Sequence, residues 1–423
     1  MIMLKKICRW LCLVLSCFLL AGCGRAAAAP GGDYRVIVAS DLHFLSPELT
    51  DHGKAFRQVM NAGDGKVTEY CEEITDAFLV EVAEARPDAL ILTGDLSFNG
   101  ERKSHEALAE KLAEMEEAGV PVLVLPGNHD LFRGTAYAFF GETAEPVPTV
   151  TAEEFREIYA PFGFDEAIAE DADSLSYVAR LNDTTRVLML DANTLHDYCG
   201  FSDKTLSWIE TQLEEAKEEG TAVLAACHQN LYQHSMFGAG YVLAENEELR
   251  ALLEKYRVPL MLSGHMHIQH VMTQGSVTEI ASSALTMGAC QYGVLEAEKG
   301  TLDYHTRPVD VSAWAKEHGI EKEELKRFAA YAMDSMEKRT RAQAESQLAA
   351  RGYLREEIRE LTEFACALND AYFCGDLTAI PALDPDGGLL RRWTESGTFF
   401  GSYFASLEQE IGKNHTVWRS ARG

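Results

Sequence analysis

The sequence reads as an α/β sandwich with a helical domain at its C-terminal end. Short apolar runs of strand length alternate with amphipathic helical stretches as far as about residue 309, and beyond that point strand signals nearly vanish. Length agrees: 423 residues with 47% apolar content fill one large core and an appendage.

Residues 34–40 (YRVIVAS) form the first expected strand. Residues 68–86 have helical periodicity, with Ile74, Phe78, Leu79 and Val82 as the apolar positions, and Pro87 stops that helix. A strand over 89–93, a helix over 101–118 ended by Gly119, and a strand over 122–125 running into Pro126 follow. Segment 133–151, rich in Gly, Pro and Thr, reads as a loop, and 153–159 as a short helix. Strands over 176–181 and 186–190, a helix over 203–219, and strands over 222–226 and 259–262 continue the alternation. Shorter strands are expected at 269–273, 277–280, 293–296 and 302–305. In the C-terminal part Leu325, Phe328, Ala332 and Met336 form one helical stripe, and Ile358, Leu361, Phe364, Ala365 and Leu368 another; both are packing faces. Pro381, Pro385 and the glycines at 387–388 break the chain before a last helix holding Phe399, Phe400, Tyr403, Phe404 and Leu407.

The N-terminal segment sets the compartment. Lys5, Lys6 and Arg9 precede an apolar run from Trp10 to Leu20, too short to span a bilayer comfortably and suited to an export signal. It ends in Leu20-Ala21-Gly22-Cys23, which resembles the lipobox cut by the bacterial lipoprotein signal peptidase. That resemblance implies Cys23 as the lipidated residue of a protein anchored to the outer face of the cytoplasmic membrane; a plain secretory signal is the alternative. The expected division is a signal segment 1–22, a tether 23–33, an α/β domain 34–309 and a helical domain 310–423. The net charge of −28 becomes −31 without residues 1–22, which hold three basic and no acidic residues. A surface so acidic repels long nucleic acids, leaving a small phosphoester as the compatible anion. Six cysteines remain after Cys23, spaced too irregularly for a disulfide framework; Cys366–Cys374 is the one pairing expected.

Five blocks carry the chemistry: Asp41-Leu42-His43, Gly94-Asp95, Gly127-Asn128-His129-Asp130, His228 and Gly264-His265-Met266-His267. Each sits where an expected strand gives way to a loop, so the blocks can converge at one edge. Asp41 and His43, two residues apart, can point the same way onto one ion. Asp95 suits a bridge between two ions, Asn128 offers a neutral oxygen, and His228, His265 and His267 offer imidazoles. These seven oxygen and nitrogen ligands suit two divalent metal ions, Mn, Fe or Zn, unlike a structural thiolate site. Such a pair turns a bridging water into hydroxide and holds a phosphate for in-line attack. His129, beside a ligand but not needed as one, is the expected catalytic residue, stabilising the transition state or protonating the leaving oxygen. Asp130 either orients it or caps the following segment. Asn128 and His129 are also the residues expected to meet the substrate.

The arrangement resembles the calcineurin-like metallophosphoesterase superfamily, with its D-x-H, G-D, G-N-H-[DE], H and G-H-x-H blocks, over about residues 34–306. The resemblance implies a four-layer α/β/β/α sandwich. It also implies Asp41, His43, Asp95 and His267 on one metal, Asp95, Asn128, His228 and His265 on the other, and His129 as catalytic histidine. Phe98 replaces the tyrosine of purple acid phosphatases, and Gly94–Gly100 (GDLSFNG) lacks the Asp-Arg of Ser/Thr protein phosphatases. The segments SDLHFLSP, GKAF, GDLSFNGE and HQNLYQHS are more similar to class III cyclic nucleotide phosphodiesterases. That similarity implies hydrolysis of a small phosphodiester, a 3′,5′-cyclic nucleotide among the choices. Alternatives are an extracellular phosphomonoesterase or nucleotidase and a non-catalytic metal- or solute-binding lipoprotein. His52, Asn193, His196, Tyr232 and His234 lie near the blocks as pocket candidates, whereas His105, His270, His305 and His318 are expected to be unrelated to the site.

Overall fold

Runs such as Ala89–Leu92 (ALIL) and Leu260–Ser263 (LMLS) are buried at every position because both faces are covered, as parallel strands inside an α/β core require. The computed structural model describes residues 32–63, 65–132, 134–194, 199–238 and 240–420; the signal segment, Cys23 and His196 lie outside the described residues. In chain order the elements are β1 (Tyr34–Ala39), α1 (Lys54–Ala62), α2 (Cys71–Ala85), β2 (Ala89–Leu92), α3 (Arg102–Glu117), β3 (Val122–Val124), β4 (Tyr137–Phe140), β5 (Thr143–Pro146), α4 (Ala152–Ile158), β6 (Ala169–Glu170), β7 (Tyr177–Asn182) and β8 (Thr185–Leu190). There follow α5 (Asp203–Glu219), β9 (Ala222–Cys227), α6 (Asn246–Tyr256), β10 (Leu260–Ser263), β11 (His270–Gln274), β12 (Val277–Ala281), β13 (Gln291–Glu298) and β14 (Thr301–Pro308). The C-terminal part holds α7 (Val311–Glu317), α8 (Glu323–Lys326), α9 (Phe328–Ala350), α10 (Arg355–Cys374), α11 (Ile380–Leu383), α12 (Gly388–Thr394), α13 (Phe399–Ser406) and β15 (Val417–Arg419).

Two mixed sheets face each other, in the orders β15-β14-β13-β1-β2-β3 and β11-β12-β10-β9-β8-β7-β6. Side-chain alternation builds the layers. Val187, Met189, Leu224 and Ala226 point into the core between the sheets. Their neighbours Leu188, Leu190, Ala225 and Cys227 point outward onto Ile209 and Leu213 of α5 and Leu249 and Leu253 of α6. On the first sheet Phe78 of α2 packs its ring against Tyr292 of β13 at 5.1 Å. The four-layer α/β/β/α sandwich is therefore present, with a helical region after it.

Some elements differ from the sequence reading. The loop 133–151 contains the β4–β5 hairpin, paired from Tyr137–Pro146 to Phe140–Thr143. Helix α1 buries only Ala55 and Phe56, too few apolar positions to announce itself. The helical region is not self-contained: Val311, Ala315, Phe328 and Ala332 join the main core, and β15 returns to pair with β14. The rest surrounds a core of its own, with Trp393 fully buried and donating its indole N–H to Leu361 O. Cys366 and Cys374 do not pair. They lie eight residues apart on α10, about 12 Å along the axis, and all six cysteines among the described residues are free thiols.

Candidate metal centre

Every block follows the C-terminal end of a parallel strand: β1 before Asp41, β2 before Asp95, β3 before Asn128, β9 before His228, and β10 before His265. Strand ends of an open parallel sheet leave loops and a crevice, which is where α/β proteins bind ligands. The loops are strained where they meet. Asp41, His43, Asp95, His265 and His267 have φ of 55°, 44°, 49°, 69° and 58°, a left-handed region that side chains other than glycine rarely enter. Strain gathered on five neighbouring residues is the signature of a functional site held by its surroundings.

Hydrogen bonds between the blocks do the holding. Asp41 N donates to Gly94 O at 3.0 Å, His43 N to Asp95 O at 3.0 Å, His265 N to Asp41 Oδ2 at 3.0 Å, and His129 N to Asp95 Oδ1 at 2.7 Å. A Cβ at Gly127 would collide with Asp95, and one at Gly264 with Ser40 and Asp41. These two glycines are needed for the close approach.

The ligand atoms form two groups. Asp41, His43, Asp95 and His267 lie within 4.8 Å of one another, and so do Asp95, His228 and His265. Asp95 belongs to both, its Oδ2 being 3.7 Å from His43 Nε2 and 3.3 Å from His228 Nε2. Asn128 Oδ1 sits 3.1 Å from His228 Nε2. His267 Nε2 is 3.2 Å from both Asp41 Oδ1 and His43 Nε2.

These residues fit a pair of divalent cations. Asp41 Oδ1 is buried and accepts no hydrogen bond, an arrangement native interiors avoid unless something else satisfies the atom. His228 donates Nδ1–H to Thr93 O at 2.8 Å, which leaves Nε2 as the nitrogen facing Asp95. His265 donates Nε2–H to Gly240 O at 2.9 Å, which leaves Nδ1. Such partners fix the ring tautomer of a ligating histidine. Burial works against the charged forms of Asp41, His43, Asp95, His228 and His265. It pulls His265 down to about 4; on His228 burial is again the largest single influence, but Asp95, Asp41 and Thr93 O together overcome it and lift the ring to about 9. Burial likewise raises Asp41 and Asp95, but His267 beside the one and His228 beside the other hold both carboxyls below the usual range. The carboxylates are thus ionised and shared among imidazoles, as bound cations require.

His129 stands beside this group, its ring centroid 4.9 Å from that of His43. Its Nδ1 faces Asn99 Oδ1 at 3.0 Å and Phe98 O at 3.1 Å, so Nδ1 carries the proton and Nε2 is the other face. Asp130 sits elsewhere. Its buried carboxylate accepts from Leu96 N (3.0 Å), Ser97 N (2.8 Å), Ser97 Oγ (2.8 Å) and Gly127 N (2.8 Å). It ties the Asp95 loop to the Asn128 loop and does not orient the His129 ring, a task taken by Asn99 and Phe98. Asp130 is a positioning residue.

Of the pocket candidates, Tyr232 is buried and donates its hydroxyl to Val277 O, and His234 is buried against Glu279 and His270. His52 is exposed and packs on Phe56. Asn193 bridges Pro126 O and Gln229 between two blocks. His105 is not unrelated: its Nε2 lies 3.1 Å from Asp130 O and its Nδ1 3.0 Å from the Tyr159 hydroxyl. Two neighbours escaped the sequence reading. Lys66 Nζ lies 3.4 Å from His43 Nε2, and Tyr241 places its ring 5.0 Å from that of His265. Neither belongs to a motif, and only the folding of distant loops brings them in.

Strand-end convergence, a shared carboxylate and an adjacent histidine define a metal-dependent phosphoric ester hydrolase. The chain belongs to the calcineurin-like phosphoesterase family, which it matches over residues 34–269. Residues 310–409 match a family described as the C-terminal domain of cyclic nucleotide phosphodiesterase. A glycerophosphodiester phosphodiesterase of Enterobacter lignolyticus is 26% identical over 257 residues, 60% of this chain and 77% of that protein. A probable cyclic nucleotide phosphodiesterase of Rhodococcus erythropolis is 28% identical over 265 residues, 61% of this chain and 73% of that protein. Among solved structures, a dimetal phosphatase of Danio rerio is 12% identical with a TM-score of 0.48, covering 65% of this chain and 96% of that chain.

Proposed function

We propose that this enzyme hydrolyses a small phosphodiester, with 3′,5′-cyclic nucleotides as its leading substrate class. The observation that carries the nucleotide reading is the match of residues 310–409 to a domain of cyclic nucleotide phosphodiesterases. Both relatives above are phosphodiesterases by name. When bound, a divalent pair supplies the charge that gathers the phosphate and acidifies the attacking water. Asp95 holds the two halves of the site in one frame, and His129, in its imidazolium form, would give the Nε2 proton to the leaving oxygen while Nδ1–H stays on Asn99 and Phe98. Asn128 and His129 meet the substrate from the β3 loop. The metals we assign to the site are Mn, Fe or Zn, on the oxygen and nitrogen character of the donors.

The proposal extends to location. The lipobox-like Leu20–Cys23 supports a Cys23 lipid anchor on the extracytoplasmic face of the membrane, and the acidic surface suits a small anion better than a polymer. Among the described residues no helix is long and apolar enough to cross a membrane.

Hydrolysis of bis-p-nitrophenyl phosphate with added Mn²⁺ tests the reading, with Asp95→Ala as the control. Turnover by wild type and not by the variant is expected, followed by turnover of cyclic AMP. A faster rate on p-nitrophenyl phosphate than on the diester would favour a phosphomonoesterase, and no turnover with any divalent ion would overturn both.

A further inference from the structure

Two distant stretches of chain leave large apolar side chains in water at the same place. Met236, Phe237 and Tyr241 in the 229–245 loop are 38%, 39% and 36% exposed, and Phe399, the first residue of α13, is 50% exposed. The aromatic rings form a strip that begins on a metal-ligand candidate, His265. Tyr241 lies against His265, with centroids 5.0 Å apart. Phe237 follows at 6.4 Å from Tyr241, and Phe399 at 6.1 Å from Phe237 with only 29° between their planes. Tyr403 continues behind Phe399 at 6.4 Å, nearly coplanar.

The strip is built rather than accidental. The base of its loop is fixed where Leu231 N and Tyr232 N donate to the buried Glu279 carboxylate at 2.9 and 2.8 Å, and where Tyr372 of α10 donates its hydroxyl to His234 O at 2.7 Å. On the other side Phe400 N donates to Gln347 Oε1 at 3.0 Å, setting α13 against α9. An apolar patch supported this way from two domains, opening beside a reaction centre, marks a binding surface.

We propose that this strip is the subsite for the planar base of a nucleotide phosphodiester, shared between the α/β domain and the helical region. The inference rests on the phosphodiesterase reading and names the part of the substrate the metals do not hold. Two features select a base over an alkyl chain. The rings are partly exposed on an open ledge, whereas an alkyl chain needs apolar atoms on all sides. A base stacks on any aromatic face, largely irrespective of its identity. The ledge starts at His265, so for a phosphate at the metal centre the ribose is the spacer that carries the base onto the strip.

Calorimetric titration of the Mn²⁺-loaded protein with AMP and with ribose 5-phosphate isolates the base, because the two differ at the anomeric carbon, which carries adenine in one and a hydroxyl in the other. Wild type is expected to bind AMP about tenfold or more tightly than ribose 5-phosphate. Phe237→Ala and Phe399→Ala are expected to bring the two within about threefold, while Phe399→Trp restores the preference. Leu383→Ala, a change at an exposed leucine elsewhere, should leave the ratio intact. Tyr241 is left in place because it touches a metal ligand. Equal binding of the two ligands by wild type, or a preference that survives both alanine variants, would overturn the proposal. Binding is read without turnover. Failure to hydrolyse any ester would therefore defeat the functional reading, while the ratio of the two affinities would still decide whether the strip holds a base.

Discussion

The side-chain oxygen of Asn99 lies 3.0 Å from Nδ1 of His129, and Phe98 O lies 3.1 Å from the same nitrogen. Two acceptors on one side of the ring place a proton on Nδ1 and leave Nε2 as the nitrogen for the proton transfer we propose. Asn99→Ala removes one of them and should lower kcat about tenfold with metal content unchanged. Asn99→Asp puts a carboxylate there, favours the imidazolium, and should move the basic limb of the pH–rate curve upward. His129→Ala should cost about 10²–10⁴-fold in kcat with both metals retained. Loss of metal in that variant would show the residue to be a ligand instead.

Asp130 has a different signature. Its carboxylate accepts four hydrogen bonds while completely buried. Asp130→Ala would strand donors of Leu96, Ser97 and Gly127, so about 3 kcal/mol or more of stability should be lost. Urea unfolding of the metal-loaded protein measures this, and Asn99→Ala should differ from wild type by far less. A stable Asp130→Ala protein with a slow rate would return the residue to the reaction.

How much of this was legible in sequence depends on whether the signal was local. Strand-end blocks such as Gly94-Asp95 carry their own geometry, because the glycine permits the approach and the strand fixes the direction, so the residues that converge could be read in order. Asp130 could not be assigned, since its partners at Leu96 and Ser97 lie over thirty residues away. Strand β15 was invisible because Val417, Trp418 and Arg419 gain their strand character only from the β14 edge they join. The helical region was recognisable from its stripes, yet Phe328 and Ala332 on one stripe pack into the main core rather than their own. Periodicity shows that a face is buried, not against what.

Metal removal should be read in stability as well as in rate. Without cations the buried Asp41 Oδ1 has no hydrogen-bond partner, and His43 and His267 present nitrogens to each other at 3.2 Å. Metal at a hundred times its dissociation constant contributes about 2.7 kcal/mol per site. Chelation should therefore lower the melting temperature by several degrees, reversibly on adding Mn²⁺, as seen by scanning calorimetry. Asp95→Ala should abolish most of the difference, because that carboxylate serves both groups.

Glu101 predicts a pH dependence. Burial lifts its carboxyl from 4.5 to about 7, against the bonds it accepts from Asn99 N and Ser104 Oγ. A raised carboxyl pKa means the folded state holds the proton over a range where the unfolded chain has released it. The group's contribution to stability is thus full below 4.5 and falls as pH rises to about 7. Glu101→Gln removes that slope. Its stability relative to wild type should climb across this interval by about 3 kcal/mol and then level off. Parallel stability curves for the two proteins between pH 5 and 8 would refute the assignment.

His270, Glu410 and His415 place ligand atoms within 4.8 Å of one another and so imitate a third metal site. Hydrogen bonding argues otherwise. Val271 N donates to His415 Nδ1 at 3.2 Å, so that nitrogen is an acceptor and the proton of the neutral ring sits on Nε2. Nε2 lies 3.0 Å from Glu410 Oε2 and donates to it, leaving no lone pair for a cation. His270 Nε2 reaches the same oxygen at 3.1 Å, and the two histidines hold the Glu410 carboxyl well below its usual range. The cluster is therefore a buried latch between β11 and the chain's last segment. Elemental analysis should find two metal ions per chain and not three, with the count unchanged in His415→Ala. That variant should instead lose about 2 kcal/mol of stability through the carboxylate and the Val271 donor left behind. A third metal equivalent that disappears with His415 would make the cluster a site after all.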